Sequence, residues 1–249
     1  MSLTASRSIN QVISSEPYGY GVSICIPAFN EQETIEKSVI TAYETLQHAG
    51  LPGEILIIDD CSTDATWSIL ERLKDSVPNL QIRRHELNKG IAETFRELYN
   101  WASLDLVFLN SADGQWQMST LIDMLPFIKD CDLVVARRKH KHYGLSRQLV
   151  SFLFNLAPLA LFHTRTYDAG SVKLVRRQIY DIPVKSRGVF VEAERIIRAS
   201  RRGYRIMAVD VEHFPRVAGK AQGAKPSLVV EAVADLVRCW IDIVLIRRP

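Results

Sequence analysis

Through the first half of the chain, short apolar runs alternate with segments whose apolar residues return every three or four positions. Residues 22–26 form a run of the first kind, ended by Pro27, and read as a buried strand. Residues 31–48 place Ile35, Val39, Ala42 and Leu46 at helical spacing. A second strand is expected over 54–58, closed by Asp59-Asp60, and a capped helix from Asp64, with Trp67, Leu70 and Leu73 on one face. Then come a strand over 80–84, a helix over 90–102, a strand over 104–109, a helix over 118–128 and a strand over 132–136. Strands of this kind between amphipathic helices predict an α/β fold, a mostly parallel central sheet with helices on both faces.

After residue 140 the alternation weakens. The pattern there predicts a helix over 146–162, a short strand near 171–174, a helix over 190–200 and a strand over 205–209. A Gly/Lys-rich loop over 216–225 and a last helix over 227–246 complete the chain. No internal repeat or clear linker occurs. The expected organisation is a polar lead-in over 1–20, one domain over 21–226 and an amphipathic helix over 227–249. Val229, Val233, Leu236, Trp240 and Ile243 line one side of that last helix. They are expected to pack on the domain, on a second copy of the chain, or at a membrane surface, where Arg247-Arg248 suits anionic headgroups.

Composition narrows the picture only a little. The 249 residues are 47% hydrophobic and 24% charged, ordinary for a packed domain. The net charge of +3 is too small to argue for a nucleic-acid partner. Cys25, Cys61, Cys131 and Cys239 are scattered without a CxxC or Cys/His cluster, which fits a reducing compartment and no disulfide framework. The first twenty residues lack a signal-peptide core. The two most apolar segments do not read as spanning helices. Residues 149–162 are too few, and 228–246 carry Glu231, Asp235, Arg238 and Asp242. A cytoplasmic protein, peripheral on the cytoplasmic face of a membrane, is the expectation.

In parallel sheets ligands bind beyond the carboxyl ends of the strands. Four such ends carry polar clusters: Pro27-Ala28-Phe29-Asn30-Glu31, Asp59-Asp60-Cys61-Ser62-Thr63-Asp64, Asn88-Lys89-Gly90 and Ser111-Ala112-Asp113-Gly114-Gln115. Asp and Ser after a strand are most often turn and cap residues, and Asp64 reads that way. The adjacent carboxylates Asp59 and Asp60 exceed what a turn needs, which leaves one for a ligand. Neither GxGxxG after the first strand nor GxxxxGK[ST] is present, so the usual dinucleotide and P-loop sites are unsupported. Carboxylates face phosphates only across a divalent cation, and Mg²⁺ or Mn²⁺ held by one or two carboxylates plus a diphosphate is a common solution.

Taken together, the four clusters resemble the family 2 inverting glycosyltransferases of the GT-A fold: Pro-x-aromatic-Asn-Glu, Asp-Asp-x-Ser-Thr-Asp, Asn-x-Gly, then the Asp-x-Asp region. Ala136-Arg137, Asp168-Ala169-Gly170-Ser171, Phe190 with Glu194, and His213 through Lys220 resemble the polyprenyl-phosphate branch. The resemblance spans about residues 21–240. It implies that Pro27, Phe29 and Glu31 line the donor nucleotide, with Ile58 and Asp60 near the base. It implies that Ala112 and Asp113 hold the diphosphate and metal, with Gln115 in reach, and that Glu194 closes the wall near the metal. Arg137, Arg216 and Lys220 would meet the acceptor phosphate. Two positions depart from the family pattern. Ser111 replaces the first Asp of Asp-x-Asp, and Gln222 stands where many relatives carry a basic residue, between Lys220 and Lys225.

The implied activity is metal-assisted transfer of a hexose from a nucleotide diphosphate sugar to a polyprenyl phosphate, with inversion. Two alternatives stay open at this point. One is a family 2 transferase acting on a saccharide or soluble hydroxyl, with Glu194 or Asp168 as base. The other is a non-catalytic sugar-nucleotide-binding subunit, motivated by Ser111. The basic run Arg137-Arg138-Lys139-His140-Lys141-His142 reads equally as a solvated face and as a phosphate-binding strand end. Residues 149–162 read as a buried helix or as an interfacial one.

Overall fold

The computed structural model describes residues 19–139, 145–186, 188–214 and 226–246. A seven-stranded sheet has the order β3-β2-β1-β4-β6-β5-β7. Its strands are β1 (Val22–Ala28), β2 (Gly53–Asp59), β3 (Leu80–Arg84), β4 (Leu106–Leu109), β5 (Leu133–Arg138), β6 (Lys173–Arg176) and β7 (Ile206–Val211). The helices are α1 (Ile35–His48), α2 (Thr66–Lys74), α3 (Ile91–Trp101), α4 (Thr120–Met124), α5 (Leu145–Phe162), α6 (Val191–Arg201) and α7 (Pro226–Trp240).

β1 and β2 are almost wholly buried, as continuous apolar runs in a doubly covered parallel sheet should be. They pair in parallel from Val22↔Gly53 to Ala28↔Asp59. Gly53 suits the start of β2, because a Cβ there would lie 2.6 Å from the Leu46 side chain of α1, which would have to shift. Alternate side chains split between the two faces. Ile24, Ile26, Ile55, Ile57 and Phe108 pack under α1, α2 and α4. Cys25, Leu56, Ile58, Val107 and Leu109 pack under α3. On that second face, Leu133, Val135 and Val175 continue the layer beneath α6 and α7.

The expected parallel character holds for β1 with β2 and β4, β2 with β3, and β5 with β7. β6 is the exception. It runs antiparallel to both neighbours, β4 and β5. Its first residue therefore lies at the same sheet edge as the ends of β4 and β5. The helix expected over 118–128 is instead α4 followed by a 3₁₀ turn over Leu125–Lys129. Pro126 supplies no N–H to continue the α ladder.

Phe154 and Phe162 of α5 pack inward, while Leu156, Leu159 and Leu161 face out. α7 continues into a π-helical turn over Ile241–Leu245. Its inward face is Ala232, Leu236, Cys239 and Ile243, whereas Val233, expected with them, is exposed. No helix among the described residues is long and apolar enough to cross a membrane.

Candidate active site

β2 and β3 extend the sheet to one side of β1, and β4 extends it to the other. The crevice beyond β1 and β4 is thus a topological switch point, where open α/β sheets bind ligands. Three of the polar clusters, those after β1, β2 and β4, converge around it.

The loops after β1 and β2 are braced to each other by side chains rather than by a shared ladder. The Asn30 amide donates to Ser62 Oγ at 2.8 Å, and Thr63 N–H donates to Asn30 Oδ1 at 2.8 Å. Glu31 N–H donates to Thr66 Oγ1 at 2.8 Å, and Ala65 N–H to Gln32 Oε1 at 3.0 Å. Asn30 adopts φ 55°, a left-handed conformation that Asn tolerates better than most residues. Asp64 accepts from the Thr66 amide at 2.9 Å, in keeping with a cap. Phe29 leaves this braced platform 38% exposed at the rim, while Pro27 is buried.

Both carboxylates of the Asp59-Asp60 pair, one of which was expected to meet a ligand, accept hydrogen bonds within the fold. Asp59 is buried and accepts from Ser62 Oγ and, at 3.0 Å, from Arg84 Nε. Asp60 accepts from His85 Nδ1 at 2.7 Å, Lys89 N–H at 2.8 Å and Gly90 N–H at 2.8 Å. Asp60 therefore holds the Asn88-Lys89-Gly90 turn against β2, and His85 reaches on to Glu97 at 3.1 Å. The Ile58 side chain is fully buried beneath α3, so it presents nothing to a donor directly.

After β4 the chain turns at Gly114, whose φ of 72° suits a residue without a Cβ. Asp113 is buried here. Its Oδ1 accepts from Ser111 Oγ at 2.6 Å and from Gln115 N–H at 3.1 Å. The buried Ala112 offers its carbonyl to Ser38 Oγ of α1 at 3.4 Å. The Gln115 carbonyl accepts from Phe214 N–H at 3.0 Å, which ties the segment leaving β7 to the Asp113 turn. Arg216 and Lys220 follow that segment and lie outside the described residues.

Trp116, which the sequence did not single out, completes this corner with His213, Arg138 and Asp168. Trp116 meets the buried His213 edge-on, with centroids 4.9 Å apart. The Arg138 guanidinium lies 5.4 Å from the Trp116 ring centroid and 3.5 Å from Asp168 Oδ1. Arg137, expected at the acceptor phosphate, makes two hydrogen bonds of 2.5 and 2.8 Å to its cross-strand partner Asp210. Strand parity separates the two arginines. Arg138 shares a face with Val134 and Ala136, which pack in the cluster that contains Trp116. That parity was the available signal, once the core on each face was known.

Glu194 is wholly buried on α6. It accepts from Ser186 Oγ at 2.5 Å, Ser186 N–H at 2.8 Å, Lys185 N–H at 3.1 Å and Arg198 Nε at 2.7 Å. Burial opposes its ionisation, but the bonds from Ser186, Arg198 and Lys185 outweigh it and hold its carboxyl below the usual value. This is an anchored structural anion, tied through Arg198 to Asp242 of the π-helical turn at 2.6 Å.

A cation fits the Asp113 turn only as part of a larger donor set. Among the described residues, no three His, Cys, Asp or Glu side chains gather to cage a metal. One carboxylate beside an amide side chain suits Mg²⁺ or Mn²⁺ that shares its coordination with a ligand's phosphates and water.

The sheet order, the covered faces and the carboxylate turn at the β1/β4 crevice are those of a GT-A fold glycosyltransferase. The model of glycosyl transferase family 2 matches residues 23–182, and the chain belongs to that family. The undecaprenyl-phosphate mannosyltransferase of Micrococcus luteus is 24% identical over 229 residues, covering 86% of this chain and 91% of that protein. The dolichol-phosphate mannosyltransferase of Pyrococcus furiosus is 30% identical over 136 residues, covering 52% of this chain and 38% of that protein. Glucosyl-3-phosphoglycerate synthase from Mycobacterium tuberculosis, solved with Mn²⁺, UDP and phosphoglyceric acid, shares the fold. Its TM-score is 0.69 at 19% identity, over 89% of this chain and 79% of that one. A mannosyltransferase from Pyrobaculum calidifontis, solved with GDP-Man and Mn²⁺, superposes with a TM-score of 0.64 at 18% identity, over 88% and 64% of the two chains.

Proposed function

We propose that this glycosyltransferase moves a hexose from a nucleotide diphosphate sugar to a polyprenyl phosphate, inverting the anomeric carbon. The observation that carries the reading is Asp113, a buried carboxylate on the turn beyond β4 and the one carboxylate among residues 111–115. The names of the relatives from Micrococcus and Pyrococcus support the acceptor class.

The donor nucleotide is assigned to the braced platform of Pro27, Phe29 and Glu31, with Phe29 offering an aromatic face. Asp60 borders the base through the Lys89–Gly90 turn that it holds, and Ile58 acts only by setting the Asp59-Asp60 backbone. Ala112, Asp113 and Gln115 take the diphosphate. Mg²⁺ or Mn²⁺ would be held by Asp113 with Gln115 in reach, and would neutralise charge on the departing nucleoside diphosphate.

An acceptor phosphate is ionised near neutral pH, so transfer to it needs no general base. The chain's task is then in-line positioning and stabilisation of charge. Arg138 is the β5 cation we assign to the acceptor side, together with Arg216 and Lys220. Arginine suits bidentate phosphate contact better than lysine. Glu194 positions the 185–186 turn rather than touching the reacting atoms. A hydroxyl acceptor would require a base, and Asp168, whose buried Oδ2 has no hydrogen-bond partner among the described residues, is the group that reading would use.

The test is donor profiling with a panel of radiolabelled sugar nucleotides, with and without polyprenyl phosphate and divalent cation. Label entering the organic phase only when both are present is expected. Label passing to a soluble hydroxyl acceptor, or donor binding without turnover, overturns the reading.

A further inference from the structure

α7 and the π-helical turn that continues it carry apolar residues on the outward side as well as on the inward one. Their two aspartates, Asp235 and Asp242, are buried. Asp242 accepts from Arg198 Nη2 at 2.6 Å and from Lys185 Nζ at 2.5 Å, so the domain itself supplies the counterions. The outward face carries Val230, Val233, Val237, Ile241 and Leu245, recurring every three or four residues. Val230 is 70% and Leu245 61% exposed. A contiguous apolar stripe of this kind on a folded domain marks a contact surface.

We infer that this stripe docks the protein on an anionic lipid bilayer, with α7 lying in the headgroup plane. The inference rests on the lipid-acceptor reading above and names the element that would bring the site to its acceptor. Area decides against a second copy as the occupant. From Val230 to Leu245 the outward stripe is about 23 Å long and about 10 Å wide, or roughly 230 Å². A stable interface takes about 800 Å² from each partner. An interfacial helix needs no such area, since it sinks its apolar face about 5–10 Å into the headgroup boundary.

The charges beside the stripe fit the same occupant. Arg238 is exposed next to Val237 and pairs at 3.1 Å with the buried Asp235, and Arg247-Arg248 continue the sequence. Asp235 and Asp242 face the core, and the exposed Glu231 lays its carboxyl against Gly188, where a Cβ would lie 2.7 Å from it.

The experiment is flotation of the full chain with vesicles of phosphatidylcholine alone or with one third phosphatidylglycerol. The parent should float with the anionic vesicles, and less so as salt rises. V237E/I241E should lose at least tenfold in vesicle affinity, whereas L156E/L159E on α5 should lose less than threefold. V237E/I241E should keep its affinity for nucleoside diphosphate and its turnover on a short-chain, water-soluble prenyl phosphate, while turnover on vesicle-borne polyprenyl phosphate falls. Unchanged flotation of V237E/I241E overturns the inference. So does a dimer in the parent that this variant splits without any change in flotation. If no prenyl phosphate of any length is glycosylated while flotation behaves as stated, the acceptor reading fails and the docking surface stands.

Discussion

The Ser111 hydroxyl donates a 2.6 Å hydrogen bond to Oδ1 of Asp113. The side chain that replaces the family's first aspartate is thus turned onto the second one. It occupies a lone pair that a cation would use, and it adds no charge of its own. Asp113→Ala is expected to lower metal-dependent turnover by more than the roughly 10–100-fold typical of outer-shell changes, with the protein still folded. Ser111→Asp should lower the metal concentration needed for half-maximal rate. Metal titration of the three proteins checks both, and an unchanged requirement in Ser111→Asp places Ser111 outside the coordination sphere.

Asp60, which we propose borders the donor base, also holds the 88–90 turn. Asp60→Ala leaves His85 and the Lys89 and Gly90 amides without their acceptor. Hydrogen bonds to a charged group contribute about 1.5–3 kcal/mol, and a loss of that size is expected in urea denaturation. Donor affinity in titration calorimetry should fall at least fivefold as the turn loosens. Parent-like donor affinity would remove the 88–90 turn from the nucleotide site.

The adjacent arginines of β5 should behave differently. Arg137 and Asp210 form an exposed pair, so Arg137→Ala is expected to shift stability by less than about 1 kcal/mol and to leave acceptor KM near parent. Arg138→Ala should raise acceptor KM or lower kcat at least tenfold without weakening donor binding. Steady-state kinetics on both variants decide it, and equal behaviour sinks the assignment of Arg138.

Arg198 sits between two carboxylates whose pKa values are both depressed on folding. Burial opposes their ionisation, but hydrogen bonds from Ser186, Arg198 and Lys185 prevail. A depressed folded value contributes stability above the unfolded value and loses it as pH falls through the folded one. The unfolded references are 4.5 for Glu194 and 3.8 for Asp242. Arg198→Met should therefore cost about 3–5 kcal/mol at pH 7, the usual penalty for stranding a buried charge. The gap to the parent should narrow below pH 4. Urea midpoints from pH 7 to pH 3 test this, and a gap independent of pH removes the ion pairs as its cause.

Thiol chemistry should be confined to one residue. Burial pushes Cys131 up to about 11 and Cys239 up to about 12, and Cys25 higher still, so none is a thiolate near neutrality. Cys61 is half-buried in the loop after β2. Maleimide at pH 8 should modify Cys61 first, and Cys61→Ser should abolish the fast phase. A fast phase that survives in Cys61→Ser contradicts the burial of the others.

The strands and helices of the first half were legible because a strand buried on both faces writes an uninterrupted apolar run, as 54–58 does for β2. What periodicity does not carry is direction, so the reversal of β6 could not be read from residues 171–174. Nor does it carry facing. Val233 reads as an inward residue until Asp242 is seen to find Arg198 and Lys185, which lie far away in the chain. The polar loops were identifiable as a group. Their internal bonds were not, because Asp60 meets Lys89 and Gly90 only after β3 has folded beside β2.

The placement of β6 between β4 and β5 also sets an order of events on the ribosome. β5, which carries Arg138, borders only β6 and β7 and has no hydrogen-bonding partner among the strands made before it. The first four strands can pair as they emerge, but β5 must wait for residues 173–176 to be synthesised and threaded in beside β4. The β1–β4 side of the crevice is therefore complete while β5 is still an unpaired ribbon, and a nascent chain stalled between β5 and β6 would hold that side with an open sheet edge.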